Sequence, residues 1–166
     1  MRDIAPMSLA ELDAAPFVVS TVTVLDAPLA AVFGELRDPS GWFPLMTSSA
    51  WHGRVGGVGA VRTVVVRLFG RFDEEMLAWD AERGVAFTMT RTNSPLVARM
   101  AEEYQLAAVA GGTQLAWRIV GHLTTPGRLI APVLRVTVGR MAALASKRLA
   151  RCARATAGVR GTPASC

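Results

Sequence analysis

The sequence predicts an α+β fold in which a largely antiparallel sheet carries one long C-terminal helix, and three observations lead there. A chain of 166 residues with 51% hydrophobic and 19% charged residues and a mean hydropathy of +0.33 has the size and apolarity for one packed core and is too apolar for disorder. From Trp51 to His122, strand-like runs succeed one another across short glycine or polar turns with no helical period between them, which argues for hairpins and against a parallel α/β sheet. Beyond Thr124 the apolar spacing changes to three or four residues and holds to about Thr156, the period of an amphipathic helix.

Taken in order, residues 1–15 form an N-terminal arm in which Ser8-Leu-Ala-Glu11 has capping-box spacing and predicts a short helix. Residues 17–25 are rich in β-branched side chains and set Val18, Ser20, Val22 and Val24 on one face of a half-buried strand. Asp26 as N-cap and Pro28 in the first turn open a helix, with Leu29, Val32, Phe33 and Leu36 at helical spacing until Asp38-Pro39. Residues 40–49 predict a second short helical turn that packs Trp42, Phe43, Leu45 and Met46 inward as a lid. Six strands are expected near 50–55, 60–69, 72–80, 84–92, 99–109 and 113–122. The final helix aligns Ile130, Leu134, Val138, Met141, Ala145, Leu149 and Cys152 as an apolar stripe, with Gly158 placed to stop it. One domain spans residues 16–156, and residues 157–166 form a tail.

All thirteen acidic residues and nine of the eighteen basic ones lie at or before Glu103, leaving that part at −4 and the remainder at +9. Seventeen of the eighteen basic residues are arginine, a composition that fits a GC-rich bacterial genome. Arg140, Lys147, Arg151 and Arg154 share a helix face away from the apolar stripe. No aromatic residues interleave with them to stack bases, so nucleic acid is not expected as a partner. A solvated helix surface and transient contact with an anionic membrane are the two readings of that face. No apolar run reaches the roughly 18 residues of a membrane span, and Asp3, Glu11 and Asp13 stand where a secretory signal would be neutral or basic. The expected location is cytoplasmic.

Familiar catalytic motifs are missing from the sequence. There is no Gly-Lys-Ser/Thr phosphate loop, no GxGxxG in a βαβ setting and no GxSxG elbow. His52 and His122 stand seventy residues apart without HxxxH or CxxC company, and Cys152 and Cys166 cannot complete a site alone. Neither a metal nor a cofactor is expected.

The element order resembles the START-like (SRPBCC) superfamily, in particular its bacterial polyketide cyclase/dehydrase and lipid-transport group. The run Gly53-Arg-Val-Gly56-Gly57-Val-Gly59-Ala-Val-Arg62 is similar to that group's glycine-rich loop between the second and third strands. Glu75-Met-Leu-Ala-Trp79-Asp80 followed by Gly84-Val-Ala-Phe87 is similar to its strand, acidic turn and next strand, and Gly112-Thr113-Gln-Leu-Ala-Trp117 to its last-strand opening. The resemblance, over residues 17–154, implies a helix-grip fold: a seven-stranded curved antiparallel sheet around the long C-terminal helix, with two short helices after strand 1. It also implies a cavity for a hydrophobic small molecule such as a lipid or polyketide, reached past the Trp42–Met46 segment and the glycine-rich loop.

Period-two alternation supplies the candidate lining: Leu77 and Trp79, Phe87 and Met89, Tyr104, and Trp117, facing Leu134, Val138 and Met141 of the helix, with Trp42, Phe43 and Met46 above. The same residues would equally make a solid core. Glu75, Arg91 and Glu102 fall on these apolar faces with Tyr104. Either they form ion pairs, or a desolvated carboxylate serves as acid or base while Arg91 or Tyr104 polarises a carbonyl. Binding or transport of a hydrophobic molecule is the principal expectation, and a cofactor-independent cyclase/dehydratase the alternative.

Overall fold

The computed structural model describes residues 1–158. Strand β1 (Arg2–Asp3) and a 3-10 helix (Leu9–Ala14) precede β2 (Phe17–Leu25), helix α1 (Leu29–Glu35) and a single 3-10 turn (Pro39–Gly41). Then come β3 (Met46–Trp51), β4 (Val61–Val66), β5 (Gly70–Asp80), β6 (Gly84–Thr92), β7 (Val97–Val109), β8 (Gly112–Leu123), α2 (Thr125–Leu129) and α3 (Ala131–Gly158). One antiparallel sheet runs in the order β2-β8-β7-β6-β5-β4-β3, with β1 added against β6. From β3 to β8 each strand pairs with its neighbours in sequence, across the glycine-rich loop between β3 and β4 and across shorter turns thereafter, and only the β2–β8 pair of this path joins distant parts of the chain. This is the α+β helix-grip architecture, with α3 across the sheet.

Several elements differ from expectation for identifiable reasons. The arm is not an α-helix: its capping interaction forms, with Ser8 N–H donating to Glu11 Oε2 at 2.8 Å, but the turns are 3-10. Met7 and Leu12 pack with Ala101 and Val120 in a small second cluster. The arm thus seals the sheet face opposite α3. On β2 it is Phe17, Val19 and Leu25 that are buried, while Val18, Val22 and Val24 are exposed. Asp26 caps no helix; Pro28 holds that place in α1, and the Asp26 carboxylate pairs with Arg154 at 3.0 Å. β3 begins at Met46, so the lid shrinks to one 3-10 turn, and Leu45 is exposed with φ 66°. Ile130 interrupts the final helix, which places Pro132 in the first turn of α3, where its missing N–H costs nothing. The buried stripe of α3 is Leu134, Val138, Ala142, Ala145, Ser146, Leu149, Cys152 and Ala153. Most of the predicted tail, with Cys166, lies outside the described residues.

Two turns need glycine. At Gly84 (φ 121°) a Cβ would collide with the Tyr104 carbonyl oxygen, and at Gly56 (φ 75°) it would sit 2.6 Å from the Trp79 ring. The first allows β6 and β7 to close up beside Tyr104, and the second lets the loop before β4 lie on an aromatic shelf.

Candidate functional site

β4, β5, β7 and β8 turn alternate residues toward α3, and among the apolar side chains on that face are Arg62, Glu74, Glu102 and Tyr104. Arg62 and Glu74 are each only 4% exposed and pair across β4 and β5, where they are direct register partners. Arg62 NH2 lies 2.6 Å from Glu74 Oε2, Nε donates to the same oxygen at 2.8 Å, and NH1 donates to the Leu36 carbonyl at 3.1 Å. The guanidinium also lies 5.2 Å from the Trp51 ring centre and 5.3 Å from that of Phe87, both within cation–π range. A buried arginine is tolerated here because its donors meet acceptors and its planar faces meet rings.

Glu102 is 8% exposed. Its Oε2 accepts hydrogen bonds from the Tyr104 hydroxyl and the Trp117 indole N–H, each at 3.1 Å. Tyr104 and Trp117 stack at 4.8 Å, so two rings and a carboxyl form one rigid unit across β7 and β8. Burial pushes the Glu102 carboxyl up to about 7, reinforced by the nearby Glu74 charge and opposed by its hydrogen bonds and by Arg62. Burial likewise pushes Glu74 up, with Arg62 pulling against it. Burial and the Glu102 and Glu74 charges hold the Tyr104 phenol well above its ordinary range. At neutral pH the cluster therefore contains a neutral phenol and a carboxyl poised between its two forms, beside the hydrogen-bonded Arg62–Glu74 pair.

This cluster lines a cavity of about 90 Å³ between the sheet and α3. Of the expected lining residues, Phe43, Met46, Phe87 and Met89 border it, as do Tyr104 and, from α3, Leu134, Val138 and Met141. Trp42 and Trp117 lie behind this lining as core residues: Trp42 packs edge-on against Tyr104 and Trp117 and donates to the Glu35 carbonyl at 2.9 Å. Trp79 is displaced to a separate aromatic contact with Phe33 and Trp51. Leu77 sits at a break in the β5–β6 register, half-buried and away from the cavity. No residue of the glycine-rich loop before β4 borders it either. Turn residues that do are Pro39 of the 3-10 turn, Phe69 between β4 and β5, and Ser94 and Leu96 between β6 and β7.

Of the four polar residues expected to face inward, Glu102 and Tyr104 do and Glu75 and Arg91 do not. Glu74 takes the inward position that alternation from Trp79 assigns to Glu75, because Leu77 is an extra residue between the pairs Met76–Phe87 and Ala78–Ala86. Thr90 is likewise extra between Asp73–Arg91 and Glu74–Met89, so Arg91 turns to the opposite face and pairs with Asp3 at 3.0 Å and Asp73 at 3.7 Å. Each bulge inverts the parity of the residues beyond it. Arg62 carries a signal the alternation contains, since it shares parity with the buried Val64 and Val66. Glu74 carries none, because the bulge that selects it is invisible in the sequence. On the molecular surface, Arg140, Lys147 and Arg151 are exposed or half-exposed on α3 and Arg154 is held by Asp26. Among the described residues no helix is long and apolar enough to cross a membrane.

The chain resembles known proteins in both sequence and fold. Over 142 residues it is 26% identical to the protein Rv2574 of Mycobacterium tuberculosis, covering 81% of this chain and 85% of that one. Its fold matches a crystal structure of a Thermus thermophilus protein with a TM-score of 0.70 at 19% identity, over 84% of this chain and 98% of the other. The Zhui aromatase/cyclase from Streptomyces sp. R1128 superposes with a TM-score of 0.68 at 16% identity, over 88% and 98%. The family described as polyketide cyclase / dehydrase and lipid transport matches residues 16–155, and with nearly the whole folded part matched, the chain belongs to that family within the START-like superfamily.

Proposed function

We propose that the protein binds a hydrophobic small molecule, of lipid or polyketide type, between its sheet and α3. The observation that carries this reading is a cavity lined by Phe43, Met46, Phe87, Met89, Val138 and Met141 that is closed at one side by a buried, hydrogen-bonded polar cluster. A chain that needed only a core would fill that space with side chains, and would not bury two carboxylates and a guanidinium there at a desolvation cost of several kcal/mol per ion. Membership of a family described by cyclases and lipid transport supports the same reading.

At about 90 Å³ the space is smaller than the roughly 300–1,000 Å³ of an open ligand pocket, so a ligand of any length must part the segments above it. Two residues there are wound against their preference: Leu45 (φ 66°) and Leu68 (φ 74°) are left-handed without being glycine, and Leu45 C=O accepts from Arg67 N–H at 2.8 Å. Each such residue costs roughly 1–2 kcal/mol, and opening the lid can relieve that strain.

A second reading, a cofactor-independent cyclase or dehydratase, is favoured by one feature: a carboxyl shifted to about 7 beside a neutral tyrosine. Such a group can accept a proton next to a carbonyl and return it. Native mass spectrometry of the purified protein, followed by organic extraction, tests both readings. A retained apolar compound is expected, and a compound that the protein converts to a new mass would favour the enzyme. Protein that carries nothing, and takes up nothing from a lipid and polyketide extract, overturns the binding reading.

A further inference from the structure

We propose that the cavity selects a neutral ligand bearing a keto or hydroxyl oxygen, received at its polar end by Glu102, and rejects a carboxylate of the same shape. The inference rests on the binding reading above and specifies what that site accepts. Three features of geometry carry it.

First, the buried cation is already paired. Arg62 directs Nε and NH2 to Glu74 and NH1 to the Leu36 carbonyl, so an incoming carboxylate meets a guanidinium whose charge Glu74 already offsets, with that second carboxylate beside it. Second, Glu102 is divided between two tasks. Its Oε2 is occupied by Tyr104 and Trp117, whereas its Oε1 accepts no hydrogen bond from any described residue. The side chain, more than nine-tenths buried, borders the cavity, which leaves Oε1 as the polar atom offered to a ligand. Third, no other charge competes at that position. Arg62 and Glu74 face it from β4 and β5 as a closed pair, and α3 contributes only Leu134, Val138 and Met141. Arg99 of β7 borders the cavity but is engaged by Glu11 and by the Ala5 and Pro6 carbonyls.

With two donors already on Oε2, a proton on Glu102 resides on Oε1 and points at the ligand. There it donates to a ketone oxygen. Once ionised, the same atom accepts from a hydroxyl but has nothing to give a ketone. A ligand carboxylate meets the Glu74 charge and an apolar wall, and the single Glu102 proton replaces only one of the several hydrogen bonds it gives up with water.

Equilibrium dialysis with three naphthalene probes of one outline tests this: 2-acetonaphthone, 2-isopropylnaphthalene and 2-naphthoate, at pH 6 and pH 8. At pH 6 the ketone is expected to bind about fivefold more tightly than the hydrocarbon, the worth of one net hydrogen bond, and at least about tenfold more tightly than the naphthoate. At pH 8 the preference of ketone over hydrocarbon is expected to disappear. In Glu102→Gln, whose amide N–H2 replaces the acid proton, the preference should persist at both pH values. Equal binding of ketone and hydrocarbon at pH 6, or naphthoate bound as tightly as ketone, overturns the inference while leaving the binding reading standing. Failure of all three probes to bind overturns both. The wild-type comparison needs no variant, so a poorly folding Glu102→Gln does not spare the proposal.

Discussion

Glu102 makes the pH dependence of stability unusual for a chain divided between an acidic first part and a basic second part. Its carboxyl titrates at about 7 in the fold against 4.5 in an unfolded chain. Below 4.5 both states hold the proton; between 4.5 and 7 only the folded state does, so stability falls as pH rises and the loss is complete above about 7. At about 1.4 kcal/mol per pH unit the loss is on the order of 3 kcal/mol. Glu11 has the opposite sign at the acid end: Ser8 and Arg99 lower it to about 2, so the stability it contributes is present above 4.5 and lost as pH falls. Urea midpoints of the wild type should therefore fall from pH 5 to pH 8, and Glu102→Gln should flatten that slope. Parallel slopes for the two proteins would show that Glu102 does not hold its proton in the fold. The inward placement of Glu102 and Tyr104 was legible in the sequence because β7 alternates without interruption from Glu102 through Tyr104 to Leu106, as does β8 from Leu115 to Ile119. Arg62 was legible by the same rule. What concealed it is that a lone arginine among valines reads equally well as an edge residue.

At the level of elements, periodicity carries the strands and the long helix but not their irregularities. The extra residues Leu77 and Thr90 reverse the facing of everything beyond them, and neither glycine nor proline marks either position. Bulges of this kind are specified by the fit of neighbouring strands, and so are not local properties of the chain. The start of β3 was hidden for a similar reason: Met46–Trp51 joins the sheet through its pairing with β4, across the whole glycine-rich loop. The helix α3 offers a test of propensity against packing. Gly139 lies inside it, and a Cβ added there would meet only Val19 Cγ1 at 3.9 Å, an ordinary contact. Nothing in the packing requires glycine, so Gly139→Ala should stabilise the protein by about 0.5–1 kcal/mol through backbone entropy. Calorimetry would register this as a higher Tm. A lower Tm would mean that the approach of α3 to β2 is tighter than the 3.9 Å contact indicates.

For the whole molecule, the open question in the composition was whether a chain with 51% hydrophobic residues spends them on a solid core or on a lined space, and the two differ in their response to added volume. Val138 sits on α3 facing the sheet and borders the cavity, at a turn of the helix flanked by Leu134 and Ala142. If the interior were filled, Val138→Phe would force neighbouring side chains off their rotamers and cost about 1–3 kcal/mol. With free space in front of it, the ring can enter the cavity, gain contacts with Phe87 and Met89, and leave stability unchanged or raised by up to about 1 kcal/mol. The same ring occupies the ligand's place, so the variant should lose whatever compound the wild type retains in native mass spectrometry while unfolding at the same or a higher urea concentration. Loss of stability together with unaltered retention would locate the ligand elsewhere and return the sheet–helix interior to the role of a core. Preserved stability with loss of the ligand would tie the apolar fraction of the chain, the curved sheet and the buried Glu102 cluster to one purpose.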